Sequence, residues 1–118
     1  KDDKPQIKDI IGTWYYVSQE GVPGFESLNE CGQKSNITYS KNSYHTIFYD
    51  NDCNLLTETK GDYELKDSVI TVKAEAKDEY VSTKITTTQT IKEYSKDQLV
   101  IRDDMIGAVV ILKKKTQN

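Results

Sequence analysis

A chain of 118 residues and 13.5 kDa carries one domain with a single modest core, which excludes an enzyme built from separate nucleotide and substrate domains. Hydrophobic residues make up 36% and charged residues 30%, and no stretch approaches the roughly 18 consecutive apolar residues of a membrane-spanning helix. A net charge of -3 and a single arginine, Arg102, leave neither a basic face for nucleic acid nor a multi-arginine clamp for phosphate.

The chain opens with Lys1-Asp2-Asp3-Lys4-Pro5-Gln6, a polar leader without the apolar segment of a signal peptide. It reads as a mature or trimmed start, and as the tether of a secreted or lipid-anchored protein whose anchor precedes it. Residues 1–7 are set apart as leader, 8–114 as the folded domain and 115–118 as a tail. Helical periodicity is nearly absent, while runs rich in Thr, Val, Ile and Tyr recur between turn signals. They predict strands at 11–19, 34–40, 44–50, 55–66, 69–76, 79–94, 98–103 and 106–114. The tight links Ser40-Lys41-Asn42-Ser43, Lys66-Asp67-Ser68 and Ser95-Lys96-Asp97 make neighbouring strands antiparallel. In the long connection 20–33, Phe25-Glu26-Ser27-Leu28 is expected to form one helical turn over an open end.

Two cysteines, Cys31 and Cys53, with one histidine and no CxxC, are too few soft ligands for structural zinc. A disulfide is the better reading; a loop of that span is worth about 3 kcal/mol and belongs to an oxidising compartment. Pairing Ser40 with Tyr44 in the second hairpin supports it, because Ile37 then faces Ile47, Tyr39 faces His45, Ser35 faces Tyr49, and Cys31 falls opposite Cys53. A two-residue turn would set Cys31 against Asp52 instead. The first register is preferred, and it turns His45, Ile47 and Tyr49 inward and Tyr44, Thr46 and Phe48 outward. Across Lys66-Asp67-Ser68, Leu65 pairs with Ile70 and Tyr63 with Val72, a clean inward set.

Gly12-Thr13-Trp14, after Asp9-Ile10-Ile11, resembles the Gly-x-Trp signature of the lipocalin superfamily. Cys31, Ile37-Thr38-Tyr39, Cys53, Gly61-Asp62-Tyr63-Glu64-Leu65, Ile70-Thr71-Val72 and Tyr94 with Leu99-Val100-Ile101 extend the resemblance over roughly residues 8–113. The chain is similar to small lipocalin-like domains of secreted or lipid-anchored bacterial proteins, Bacteroidetes-type ones especially. The resemblance implies an all-β, eight-stranded antiparallel up-and-down barrel, here without the C-terminal helix, since Lys113-Lys114-Lys115-Thr116-Gln117-Asn118 leaves no room for one. It also implies a basic residue over the signature Trp. Arg102 is expected at the opposite rim, so a lysine stem is expected to cover Trp14 by a cation–π contact.

With Trp14 at the closed end, the mouth gathers Glu20, Glu26, Glu30, Asp50, Asp52, Asp78, Glu79, Asp103 and Asp104 against Lys77 and Arg102. Such an acidic rim favours neutral, amphipathic or cationic ligands over free fatty acids; equally, charged loops keep a barrel end in water. Lone His45 reads as a packed, hydrogen-bonded histidine rather than a general base, there being only Tyr and Ser near it on its expected face. Asp50-x-Asp52-x-Asn54 starts like a calcium loop, but Leu55 and Gly61 replace the required Gly and Glu, so it reads as an acidic turn. Asp103-Asp104 reads as a solvated tip, Asn36-Ile37-Thr38 as an unused glycosylation sequon, and the basic run Lys113-Lys114-Lys115 as a solvated chain end. No catalytic residues, metal or cofactor are assigned, and no GxSxG, P-loop or GxGxxG occurs.

Eight tyrosines against two phenylalanines suit a lumen that is partly wet. Strand parity offers Tyr16, Tyr39, Ile47, Tyr49, Tyr63, Val72, Ile85, Thr87 and Ile101 as ligand contacts. The reading is a non-enzymatic, monomeric, extracytoplasmic protein (periplasmic, outer-membrane lipoprotein or secreted) that binds a small amphipathic or apolar molecule. The alternative is an envelope protein-interaction or structural module with a filled barrel.

Overall fold

The computed structural model describes residues 4–23, 26–78 and 80–114. Eight antiparallel strands close into a barrel in sequence order: β1 (Gly12–Glu20), β2 (Asn36–Tyr39), β3 (Ser43–Tyr49), β4 (Leu55–Lys66), β5 (Val69–Lys77), β6 (Ser82–Tyr94), β7 (Gln98–Asp103) and β8 (Ala108–Lys114). β8 pairs back onto β1, so no edge is left open. The strand runs read from β-branched and aromatic residues match these elements, and the β4–β5 hairpin has the expected pairs Leu65 with Ile70 and Tyr63 with Val72. Its turn places Asp67 and Ser68 at φ of 52° and 69°, the left-handed geometry that fits the twist of a two-residue hairpin.

The β2–β3 register differs from the expected one. Tyr39 pairs with Tyr44, Ile37 with Thr46 and Asn36 with Ile47, around the two-residue turn Lys41-Asn42. One residue of slip inverts a strand's faces. Tyr44, Thr46 and Phe48 therefore face the lumen, and His45, Ile47 and Tyr49 belong to the outer wall. Nevertheless Cys31 and Cys53 are bridged, with Cα atoms 4.7 Å apart. Neither cysteine continues the ladder: Cys31 precedes a 3-10 turn, Gly32–Lys34, and Cys53 sits at φ 65° in the turn after β3. The helical turn expected near residue 25 thus falls at Gly32–Lys34; Glu26 and Ser27 are bends, and Phe25 lies outside the described residues, as do Lys1-Asp2-Asp3, Glu79 and 115–118.

A four-residue helix, α1 (Ile7–Ile10), plugs the end of the barrel at which β1 starts. Ile10 and Trp14 are fully buried there, and the Trp14 indole Nε1–H donates to the Ile10 carbonyl at 2.7 Å. Lys114 of β8 crosses the indole, its Nζ 4.5 Å from the ring centroid, and donates to the Ile11 carbonyl at 2.9 Å. The lysine substitute expected over Trp14 is this residue. Gly12 makes the arrangement fit: its φ is 132°, and a Cβ there would lie 2.7 Å from Lys114 Cε. Above the plug, Tyr39, Tyr63, Ile70, Val72, Leu99 and Leu112 fill the closed half.

Candidate functional site

Toward the mouth the inward side chains become smaller and more polar, and the lumen opens into a cavity of about 330 Å³. β4, β5 and β6 contribute Thr57, Thr59, Ala76 and Thr87, short side chains that leave the space, while Ile37, Phe48, Ile85, Ile101 and Val110 supply apolar wall. Val22, Met105 and Ile106 close over the entrance. The cavity meets the size range of small-molecule sites at its lower end, roughly 300 Å³.

Its floor is a hydrogen-bonded seam. The Tyr39 hydroxyl donates to Gln89 Oε1 at 2.6 Å, and Gln89 Nε2 donates to the Tyr44 hydroxyl at 3.1 Å. Tyr39 also stacks against Tyr44 and Tyr63, with ring centroids 5.6 and 5.2 Å apart, which ties the seam to the packed core below. Burial holds the Tyr16, Tyr39 and Tyr44 hydroxyls well above the ordinary tyrosine range, and neighbouring tyrosines and Asp103 add to the effect at Tyr16 and Tyr39. They remain neutral donors at every physiological pH.

Two polar groups stand out in the cavity wall: one without a hydrogen-bond partner among the described residues, the other a carboxylate held only by backbone amides. Gln19 is 7% exposed, and its Nε2 makes no hydrogen bond among the described residues. It faces inward because β1 carries a bulge between Tyr16 and Ser18, which moves the inward position from Ser18 to Gln19. Asp103 follows Ile101 on the inner face of β7 and is half-buried. Burial raises its pKa and the neighbouring Asp104 adds to this, against the lowering effect of the Met105 and Ile106 backbone N–H groups. Among the described residues, no basic side chain lines the cavity.

Three other rim carboxylates, Asp50, Asp78 and Asp104, are tied into their own surroundings. Asp50 accepts from the Asp52 and Asn54 amides at 2.9 Å each, and Asp78 from the Tyr80 and Val81 amides at 2.8 and 2.7 Å; these bonds hold both carboxyls below the usual range. Asp104 accepts from Thr88 and Thr90 at 2.7 and 2.9 Å and pairs with Arg102 at 2.8 Å on the outside. One side of the mouth is clamped: besides the disulfide, Asn29 Nδ2 donates to the Asn51 carbonyl at 2.7 Å, and Leu28 is buried beneath.

Of the ligand contacts expected from parity, Tyr16, Ile85, Thr87 and Ile101 line the cavity. Tyr39, Tyr63 and Val72 lie in the packed half below it, and Ile47 and Tyr49 stand on the outer wall through the register slip. His45 is on that wall too, its Nε2 2.7 Å from Glu58 Oε2 rather than beside Tyr39. Sequence reasoning missed Tyr44, Thr46, Phe48 and Gln19 as lumen residues, and counted Asp103 only as rim charge. Its position two residues after Ile101 was the signal that placed it inside.

Comparisons with curated proteins and with solved structures found no match. The lipocalin-like domain family matches residues 10–101, a span that runs from the Ile10 plug through the cavity wall at Ile101. With the closed eight-stranded topology and the Trp14 plug, the match leaves no ambiguity: the chain belongs to the lipocalin-like domain family.

Proposed function

We propose that the protein binds one small amphipathic or apolar molecule in the open half of its barrel and works outside the cytoplasm as a monomer. The cavity of about 330 Å³ above the Tyr39–Gln89–Tyr44 seam carries this reading. It has an apolar wall to take a hydrocarbon portion and a few inward polar groups to orient a head group, the usual division of labour in small-molecule sites. The disulfide supports an oxidising compartment. A non-enzymatic role accords with the family, which is in general a binding fold, and with a histidine whose hydrogen bond lies on the outer wall. Fold alone assigns no ligand.

Native mass spectrometry of the purified protein should detect a retained small molecule or, after stripping, one equivalent of the neutral probe octan-1-ol. Ala76→Trp, which fills the cavity from the wall, should abolish probe binding without lowering the unfolding midpoint. Undiminished binding in that variant overturns the reading. The second reading, a module that docks onto an envelope partner, draws on Leu55, Tyr80, Val81, Met105 and Ile106, all more than half exposed around the mouth. Mouth-side charge variants that lose a partner while retaining the probe would favour it.

A further inference from the structure

Gln19 and Asp103 offer the cavity opposite chemistry, a donor and an anion. Gln19 Nε2 is an amide donor, nearly inaccessible to water and without an acceptor. Leaving such a group unpaired is costly, and buried donors in native proteins ordinarily have partners, so its presence at a cavity wall points to an acceptor that arrives with a ligand. Asp103 is an anion in a cavity wall that has no cationic side chain among the described residues. The nearest guanidinium, Arg102, points to the opposite face of β7 and is engaged by Asp104. Its backbone neighbours satisfy part of the Asp103 carboxylate, with the Met105 amide donating at 3.1 Å, but supply no charge.

The ladder sets the relative depth of the two groups. Gln19 pairs with Val110 and Val110 with Ile101, whereas Asp103 pairs with Ala108, two residues nearer the mouth. That is about 7 Å along the strands. A ligand meeting both would place positive charge at the entrance, an oxygen lower down, and hydrocarbon against Ile101, Val110 and Ile85. Free carboxylates are disfavoured, since the ion would face Asp103 and the acidic turns.

We infer that the cavity selects amphipathic primary amines with an oxygen acceptor in the chain, the ammonium pairing with Asp103 and the oxygen taking the Gln19 amide proton. This rests on the ligand-binding reading above. Octylamine is a suitable core probe: nine heavy atoms at up to about 30 Å³ each, a water's share of liquid volume, fit the cavity. It is protonated at neutral pH, as lysine is.

The test is calorimetric titration at neutral pH with octylamine, octan-1-ol, octanoate and 3-butoxypropylamine, which is octylamine with one methylene replaced by oxygen. Octylamine should bind at least about tenfold more tightly than octanol, the scale of a hydrogen bond to a charged group, and octanoate most weakly. Asp103→Asn should erase the amine preference, octylamine falling to the affinity of octanol, and a cooperative urea unfolding transition shows that the variant is folded. 3-Butoxypropylamine should match or exceed octylamine in the parent protein and fall behind it in Gln19→Leu. Preference for octanol or octanoate, or an amine preference that survives Asp103→Asn, overturns the charge assignment; indifference of 3-butoxypropylamine to Gln19→Leu overturns the oxygen contact. Those results leave the ligand-binding reading intact if octan-1-ol or octanoate binds. Failure of every probe overturns both.

Discussion

The two halves of this barrel share the same strands and use them in opposite ways. Near α1, the inward side chains are apolar or aromatic and packed, and even the polar edges of Trp14 and Tyr63 find carbonyl partners in Ile10 and Ser40. Near the mouth, the same strands turn Thr, Ala, Gln and Asp inward, and a cavity remains. The changeover happens within single strands: β6 runs from Ile91 through Gln89 to Thr87 and Ile85, and β7 from Leu99 through Ile101 to Asp103. Stability is therefore concentrated at one end, and the other is free to carry groups that folding alone would not select.

The contrast is broken most severely by Trp14→Ala. It removes a fully buried indole, its bond to Ile10 and the surface under Lys114, and should cost about 3–5 kcal/mol in urea unfolding while leaving the cavity's chemistry untouched. Replacing both cysteines by alanine should cost about 3 kcal/mol, with the same loss in parent protein treated with reductant. Gln19→Leu should act in the reverse direction, stabilising the ligand-free protein by about 1 kcal/mol because a buried unpaired donor is replaced by an apolar group. A gain there, beside a loss at Trp14, is the signature of an open half shaped for something other than stability.

The smallest effect is in pH. Asp103 has a raised folded-state pKa, so the folded protein takes up its proton more readily than the unfolded chain. Its charge therefore opposes folding at neutral pH, and that penalty should fade as pH drops through its folded pKa, above the 3.8 of a free aspartate. Asp50, Glu58, Asp78 and Asp104 have lowered values, and their contributions should be lost only at still lower pH. Subtracting the stability curve of Asp103→Asn from that of the parent isolates the first trend from the other four. A flat difference between pH 7 and 4 would contradict the burial of this carboxylate.

The barrel was legible because its evidence is redundant: each strand is a run of β-branched and aromatic residues, and each turn has its own residues. Faces were less legible, since they depend on single-residue events. Lys41-Asn42 formed the shorter turn, and choosing the more apolar of two faces pointed Ile47 and Tyr49 the wrong way. Tyr44 and Phe48 sat on the rejected face with Thr46, and three hydroxyl-bearing or aromatic residues fit a half-wet lumen better than a count of apolar residues suggests. The bulge that brings Gln19 inward leaves only a faint trace in sequence: unbroken parity from Trp14 and Tyr16 would have put Glu20 in the lumen. The disulfide, inferred from the cysteine count, was supported by a register that does not exist; the bridge forms with both cysteines in turns outside the ladder. The α1 plug, four residues long, is too short to show periodicity.

The closure of β1 against β8 has a bearing on attachment. Lys4 lies 4.0 Å from Asp67 in the β4–β5 turn, and Lys114 rests on Trp14, so the described chain both enters and leaves the barrel at its sealed pole. Any tether, tag or neighbouring domain joined on either side holds the molecule by its base. The opening then points away from whatever surface bears it, free to meet a passing guest.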